Sequence, residues 1–461
     1  MKQHTPHRKK IMLLLVSACL LVSDAYSQSV ETTKRIDSVI TALHGRGQFN
    51  GAIVVAVAGK PIYRSSFGET LTNQKITPTT QSDIASLSKG FTAMIVMMLA
   101  EQGKLTYDDP ISKYLPELIK FSNGITIRHL LTHTSGIPDV GDLGIDDPVL
   151  TNAKALKTLA KLKSNFREPG KKYQYSNTGY LLLATIVERV TEKSFGDVLS
   201  EKILDPLGMK NTFLSGRTAG MGGIQSTVDD LLIWEESFYT EKLVLQSALE
   251  EAFKPFPVTE GTSTYGFGWN SVLKDNDKFI WHTGNTEGFR AFIGRRLSEK
   301  IAVIILTAGD SKRMEINEAI IAILHGEAYT LPKMPIADKL YQRISNEGIE
   351  NGIVFYDSLK NKDLRNYDFS ESQLNSLGYR LLSEKKNKEA IEVFKLNTLA
   401  YPESSNAFDS LGEAYYNSGD SATAIKCYEK ALELDPANLS SINMLKKLKK
   451  SKNVRENNGK A

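Results

Sequence analysis

Residues Phe91 to Ala100 form an almost uninterrupted apolar run, and a short polar turn, Asp83-Ile84-Ala85-Ser86-Leu87-Ser88-Lys89-Gly90, leads straight into it. This pattern predicts a turn feeding the N-terminus of a buried helix, around which the rest of the chain must be organised. A serine at that point sits near the positive end of the helix dipole among unpaired backbone N–H groups. Lys89, three residues on from Ser86, lies one turn away on the same face. An alkyl hydroxyl is a poor nucleophile at neutral pH, so it needs a base within hydrogen-bond reach and backbone donors for the oxyanion that attack creates. Ser86-x-x-Lys89 supplies the first half of that requirement. The same four-residue pattern recurs at Ser383-Glu384-Lys385-Lys386, on what reads as a solvated helix, where a helix cap beside a surface lysine is the sufficient reading.

The N-terminus carries Lys2, Arg8, Lys9 and Lys10, then the apolar stretch Ile11 to Val22, then the small-residue pattern Ala25-Tyr26-Ser27. This is the layout of a secretory signal peptide over residues 1–27, with cleavage expected near Ser27 and Gln28. The apolar stretch is shorter than the about 20 residues a membrane-spanning helix needs. Val16-Ser17-Ala18-Cys19 resembles a lipoprotein box, so lipidation at Cys19 is the lesser alternative to release into the periplasm or medium. Of the formal net charge of +4, Lys2, Arg8, Lys9 and Lys10 less Asp24 account for +3. The mature chain is therefore close to neutral, and nothing suggests nucleic acid as a partner. Cys427 has no mate once Cys19 leaves with the leader, so the exported protein relies on its core rather than on disulfides.

Phe49 to Phe67 reads as two β-branched runs around a glycine turn, a β-hairpin. Ile125 to Pro138 reads as a short helix stopped by Gly136 and Pro138. His129 and His133 stand four apart in it, but the acidic residue of a zinc-protease helix is missing between them, and structural histidines are expected. Pro169 to Tyr180 is a polar turn ahead of the apolar run Leu181 to Val190. Within it, Tyr175 is a candidate to take the nucleophile's proton if a neighbouring ammonium lowers its pKa from about 10, and Asn177 a candidate to hydrogen-bond a substrate amide. Phe279 to Ile293 followed by Ile301 to Leu306 reads as adjacent strands, with Gly284 permitting close backbone approach and His282-Thr283-Gly284 forming a substrate-facing edge.

Taken in order, Ser86-x-x-Lys89, Tyr175-x-Asn177 and His282-Thr283-Gly284 resemble the three boxes of the penicillin-recognising serine hydrolases, in the branch that holds class C β-lactamases, D-Ala-D-Ala carboxypeptidases, esterases and D-aminopeptidases. Ile125 to Pro138, Gly222 to Leu231 and Tyr265 to Trp269 add to the likeness, which covers about residues 30 to 330. The resemblance implies an α+β fold, an antiparallel sheet flanked by helices with an all-α subdomain, and a site between them. It assigns Ser86 as the acylated nucleophile, Lys89 as its proton partner and Tyr175 as the base that serves the leaving group and water. Asn177, His282, Thr283 and Gly284 would bind substrate, and the backbone N–H groups of Ser86 and Asn285 would form the oxyanion hole. It implies neither a metal nor an organic cofactor. The chain departs from many members at His282, where a lysine attracts the substrate carboxylate; hydrolysis is expected to survive this and efficient β-lactam turnover is not. With a pKa of about 6.5, His282 is expected to attract a carboxylate only at acidic pH.

Beyond Leu331 to Pro335 the chain reads as a linker and helical adaptor over residues 331–372, ending the 28–330 hydrolase region. An internal period then appears: Leu377-Gly378 recurs as Leu411-Gly412, Ala390 as Ala424, Phe394 as Tyr428 and Pro402 as Pro436. A period of about 34 with these residues resembles the tetratricopeptide repeat, an α-helical module placed at residues 373–445 and suited to contact with a protein partner. Repeat two, with Tyr415 and Ala431, fits better than repeat one, with Leu381 and Asn397 in their places. Two repeats fall short of a stable stack, so the adaptor helices are expected to act as a third pair. Residues 446–461 read as a basic, frayed tail. The expected activity is cleavage of a small peptide, amide or ester through an acyl-enzyme on Ser86. The alternatives are an esterase or D-aminopeptidase of the same fold, or, in a different class, a non-catalytic envelope scaffold acting through the repeats.

Overall fold

The computed structural model describes residues 30–458 apart from 121, 142–149, 163–166, 217 and 275–276. The expected leader, residues 1–27 with Cys19, lies outside the described residues. Among the described residues no helix is long and apolar enough to cross a membrane. The chain divides into two compact units, Met1–Leu331 and Pro332–Ala461.

Among the described residues, nine strands belong to the first unit: β1 (Gly51–Val57), β2 (Lys60–Phe67), β3 (Ser82–Asp83), β4 (Phe213–Leu214), β5 (Ile224–Ser226), β6 (Asn270–Lys274), β7 (Asp277–Thr286), β8 (Phe289–Arg296) and β9 (Ile301–Ala308). Six of them make one antiparallel sheet in the order β2-β1-β9-β8-β7-β6, and β3-β5-β4 make a small second one. The expected hairpin is β1–β2. Side chains alternate across a strand, so β1 sends Ala52 and Val54 to one face and Ile53 and Val55 to the other, while β9 divides Ile304 and Leu306 from Val303 and Ile305. One face packs on Ile36, Val39, Ile40 and Leu43 of the N-terminal helix and on Ile316, Ile320 and Ile323 of the helix Arg313–Leu324. The other packs on the helix Val228–Ser237 and shares its core with the helix Ser88–Glu101, against which Asn177–Thr191 packs in turn. Cover on both faces explains why β9 is apolar at every position but Thr307 rather than alternating. The run after Ser86 is the expected helix, buried on nearly all sides, which is why its sequence is apolar all round.

One polar contact is locked into this core. Arg295 on β8 pairs with Glu235 at 2.6 Å, with both side chains essentially sealed from solvent (0% and 1% exposed). The guanidinium lies 4.1 Å from the ring centre of Phe238 and 4.3 Å from that of Trp269. Removing one partner of such a pair leaves an uncompensated buried charge, so Glu235→Gln is expected to cost about 3–5 kcal/mol. Urea unfolding checks this, and a loss near zero would mean that water reaches the pair.

In the second unit, the helices Glu371–Ser383 and Asn387–Ala400 form repeat one and Ser405–Asn417 and Ser421–Leu434 repeat two. The recurring glycines have a steric cause: a Cβ on Gly378 would lie 2.4 Å from the Phe394 ring and one on Gly412 2.9 Å from the Tyr428 ring. Each small residue lets its helix seat the aromatic of the next. The helices Ile336–Glu347 and Ile349–Lys362 contribute Ile336, Leu340, Ile344 and Tyr356 to the same core as repeat one. The helix Leu439–Asn458 runs on into the basic tail, through residues 446–458.

Candidate active site

Three chain segments converge on the Lys89 ammonium. The Ala85–Leu87 turn and the helix Ser88–Glu101 supply Ser86 and Lys89, the start of the helix Asn177–Thr191 supplies Asn177, and the loop ahead of β5 supplies the Met221 carbonyl. Lys89 Nζ donates to Ser86 Oγ at 3.0 Å, to Asn177 Oδ1 at 2.8 Å and to the Met221 carbonyl at 2.9 Å. Its side chain is wholly buried, and burial pushes its pKa down to about 7, with the Asp139 carboxylate working the other way. Backbone strain is stored beside the nucleophile. Ala85 has φ +48, in the left-handed region that costs a non-glycine residue on the order of 1–3 kcal/mol. Its N–H is held by Asp83 Oδ1 at 2.7 Å.

Asp139, which follows directly on the Ile125 to Pro138 segment, was not legible as a site residue. Its Oδ2 accepts from the Asn177 backbone N–H at 2.8 Å and from Asn177 Nδ2 at 3.2 Å. Because a carboxylate only accepts, Nδ2 must face Asp139 and Oδ1 must face Lys89. The orientation of Asn177 is therefore fixed from behind.

Tyr175 stands beside this group, its ring centre 4.9 Å from Lys89 Nζ, with 36% of its surface exposed. The expectation that the ammonium would lower its pKa is not met. Burial of the phenol raises it, and a hydrogen bond with Ser86 offsets this only in part. The phenol keeps its proton at neutral pH, while Lys89 titrates there. His133, read as structural, packs its ring 4.2 Å from that of Tyr175 and 4.5 Å from that of Tyr265, and its Nδ1 accepts the Ser176 N–H at 3.1 Å. His129 caps its own helix, with Nδ1 3.2 Å from the Thr126 N–H.

His282 lies on β7 as expected but cannot act as expected. Its Nδ1 is 2.7 Å from the Thr283 carbonyl, which only accepts, so the proton sits on Nδ1; Nε2, 2.9 Å from the Tyr265 hydroxyl, is the acceptor. Both nitrogens are spent, the ring is buried, and burial followed by the Lys89 charge pushes its pKa down to about 3. A neutral ring with both nitrogens engaged offers no pH-switched charge to a substrate carboxylate. The ratio of kcat/KM for a peptide with a free C-terminal carboxylate to that of its amide-capped analogue should stay flat from about pH 5 to 8, well above that pKa. A ratio rising severalfold as pH falls through about 6.5 would mean that His282 ionises and reads the carboxylate after all. Thr283 is half-buried and Asn285 exposed. Gly284 is required sterically, since a Cβ there would lie 2.1 Å from the Ile84 carbonyl. Ser383 is far from this chemistry in kind: it is exposed, and its hydroxyl donates to its own helix at Arg380.

A serine at a strained turn with a lysine of depressed pKa on its hydroxyl, between a helical layer and the edge of an antiparallel sheet, defines a serine hydrolase of the β-lactamase fold. The Beta-lactamase family model matches residues 36–326, and the chain belongs to that family. The Tetratricopeptide repeat model matches residues 405–438, which is the better-formed repeat two. Penicillin-binding protein 4* of Bacillus subtilis (strain 168) is 29% identical over 66% of this chain and 79% of its own length. Among solved structures, the octameric penicillin-binding protein homologue from Pyrococcus abyssi superposes with a TM-score of 0.58 at 25% identity, over 68% of this chain and 81% of that one. The beta-lactamase/D-alanine carboxypeptidase from Yersinia pestis, complexed with citrate, does so with a TM-score of 0.56 at 25% identity, over 64% and 99%.

Proposed function

We propose that this protein is an exported hydrolase that cleaves a small peptide, amide or ester by acyl transfer to Ser86. The observation that carries this reading is the hydrogen bonding of Lys89. Asn177 Oδ1 and the Met221 carbonyl can only accept. A neutral Lys89 amine therefore gives its two N–H groups to them and turns its lone pair on Ser86 Oγ, 3.0 Å away. The Ser86 proton passes to Nζ as Oγ attacks the carbonyl carbon, and the backbone N–H groups of Ser86 and Asn285 hold the resulting oxyanion. The ammonium then returns the proton, through the Tyr175 hydroxyl, to the departing amine or alcohol. Water repeats the sequence to release the acid and free Ser86. Asn177, Thr283 and Gly284 line the substrate's path. The leader pattern in residues 1–27 supports export, and the repeats support a protein partner.

Spent nitrogens on His282 favour a second reading within the same chemistry, an esterase or amidase that needs no C-terminal carboxylate on its substrate. Initial rates on D-Ala-D-Ala peptides, D-amino-acid amides, short-chain esters and β-lactams separate the two, and no turnover of any acyl substrate would contradict both. With an active substrate, kcat/KM should rise with pH along a limb centred near 7, because protonated Lys89 has no lone pair for Ser86. Asp139→Asn removes the charge that raises the Lys89 pKa, so it should move the limb to lower pH. The other titratable groups around Lys89 are Tyr175, Tyr180, His133 and His282; the phenols are held above neutrality and the imidazoles below it. A profile without a limb in that region would leave Lys89 out of the proton transfer.

A further inference from the structure

The peptide unit joining Gly284 to Asn285 has two working ends. One is the Asn285 N–H, assigned above to the oxyanion. The other is the Gly284 carbonyl. In an antiparallel ladder the N–H and C=O of one residue point to one edge of the strand and those of the next residue to the opposite edge. Arg313 Nη1 donates to the Gly284 carbonyl at 2.8 Å and to the carbonyl of Ala291, its register partner on β8, at 3.1 Å. The Gly284 carbonyl thus points toward β8, and the Asn285 N–H points to the other edge of β7. That edge is open here, because the pairing of β7 with β6 ends at Trp281, and the segment carrying Ile84 packs against this end of the strand.

Resting on the acyl-transfer reading, we propose that Arg313 is a positioning residue of the oxyanion hole, which polarises the Gly284–Asn285 amide from its carbonyl end and so strengthens the Asn285 N–H as a donor to the developing oxyanion. A cation on an amide oxygen draws electron density from the amide nitrogen, and the guanidinium meets the Gly284 and Ala291 carbonyls in a part-buried setting, where this is screened less than in open water. Nη2 of the same guanidinium donates to Asn285 Oδ1 at 2.8 Å, which pins the side chain beside the donor. All these bonds go to carbonyl and amide oxygens rather than to a carboxylate, so the cation is not neutralised by a partner of its own. Burial and the nearby Arg290 lower its pKa to about 10, with Asp310 opposing. Asp310 itself is engaged by Arg290 Nε at 2.8 Å, and Arg290 Nη1 donates to the Thr286 carbonyl at 2.6 Å, the next carbonyl along the same edge. The fold thus spends two guanidiniums on the back of the strand that faces Ser86.

Arg313→Gln, which keeps a neutral donor and drops the charge, tests this in the full-length protein. With p-nitrophenyl acetate, kcat should fall roughly tenfold to a hundredfold while KM stays within about twofold, because the oxyanion exists only after attack. A fluorophosphonate supplies the signature: Ser86 Oγ bonds to phosphorus as fluoride leaves, the phosphoryl oxygen enters the oxyanion hole, and the adduct's phosphorus-31 resonance should move between wild type and Arg313→Gln. Arg313→Lys, which keeps the cation but cannot bridge both carbonyls, should lie between them in kcat and in resonance. It carries the test alone if circular dichroism shows that the glutamine variant does not fold. Unchanged kcat and resonance in whichever variant folds, or a loss confined to KM, would overturn the role of Arg313 while leaving acyl transfer intact. A wild-type enzyme that forms no adduct on Ser86 would overturn both.

Discussion

Ser86→Ala is expected to abolish turnover, lowering kcat on an activated ester by about 10⁴ or more, the scale on which loss of the nucleophile acts in serine hydrolases. Lys89 Nζ is placed on Ser86 Oγ and its other two hydrogen bonds end on pure acceptors, so no other hydroxyl is offered a base in the same way. The substitution removes one half-buried oxygen and should leave the circular dichroism spectrum and melting temperature close to wild type. Ser383→Ala, the other serine of the same four-residue pattern, should be indistinguishable from wild type. Activity that persists in Ser86→Ala would show that another group is the nucleophile.

Lys89→Ala is expected to lower kcat by about 10²–10⁴, the range for loss of a positioned general base. Tyr175→Phe should fall in the same range if the phenol relays the proton to the leaving group. The pair should not be additive: both act on one proton, so the double variant should lose little more than the worse single one. Losses that multiply would mean that the two residues serve separate steps. Lys89→Ala also strands the Asn177 amide oxygen and the Met221 carbonyl, both half-buried acceptors, so the melting temperature must be measured beside the rate.

Much of this site was legible in the sequence because its members announce themselves locally. Ser86 and Lys89 share one turn at the head of an apolar helix; Tyr175 and Asn177 sit in the polar turn before another; His282 to Gly284 lie on a strand whose glycine is needed because a Cβ there would lie 2.1 Å from the Ile84 carbonyl. The helix pairs of the second unit were legible for the same reason, since Gly378 under Phe394 and Gly412 under Tyr428 repeat one packing solution. What local pattern does not carry is the charge state of a group after burial. The pKa values of His282, Tyr175 and Lys89 are set by desolvation from chain segments remote in sequence, and two of the three moved against expectation. Asp139, Arg313 and the Met221 carbonyl act through contacts made only once the fold is closed, and none of them stands in a spacing that marks it; Tyr265 stands in a segment that adds to the likeness, but its bond to His282 is made only in the closed fold. Ala85 likewise looks ordinary until its φ of +48 is seen beside the nucleophile.

The most direct measurement is intact-mass spectrometry of the full-length protein after fluorophosphonate treatment, followed by peptide mapping of the adduct. Acyl transfer through Ser86 predicts a single adduct on the peptide that contains Ser86, absent from Ser86→Ala, retained in Ser383→Ala and formed more slowly as pH falls below the Lys89 pKa of about 7. An adduct mapped to another residue, or labelling that survives Ser86→Ala, would contradict the account.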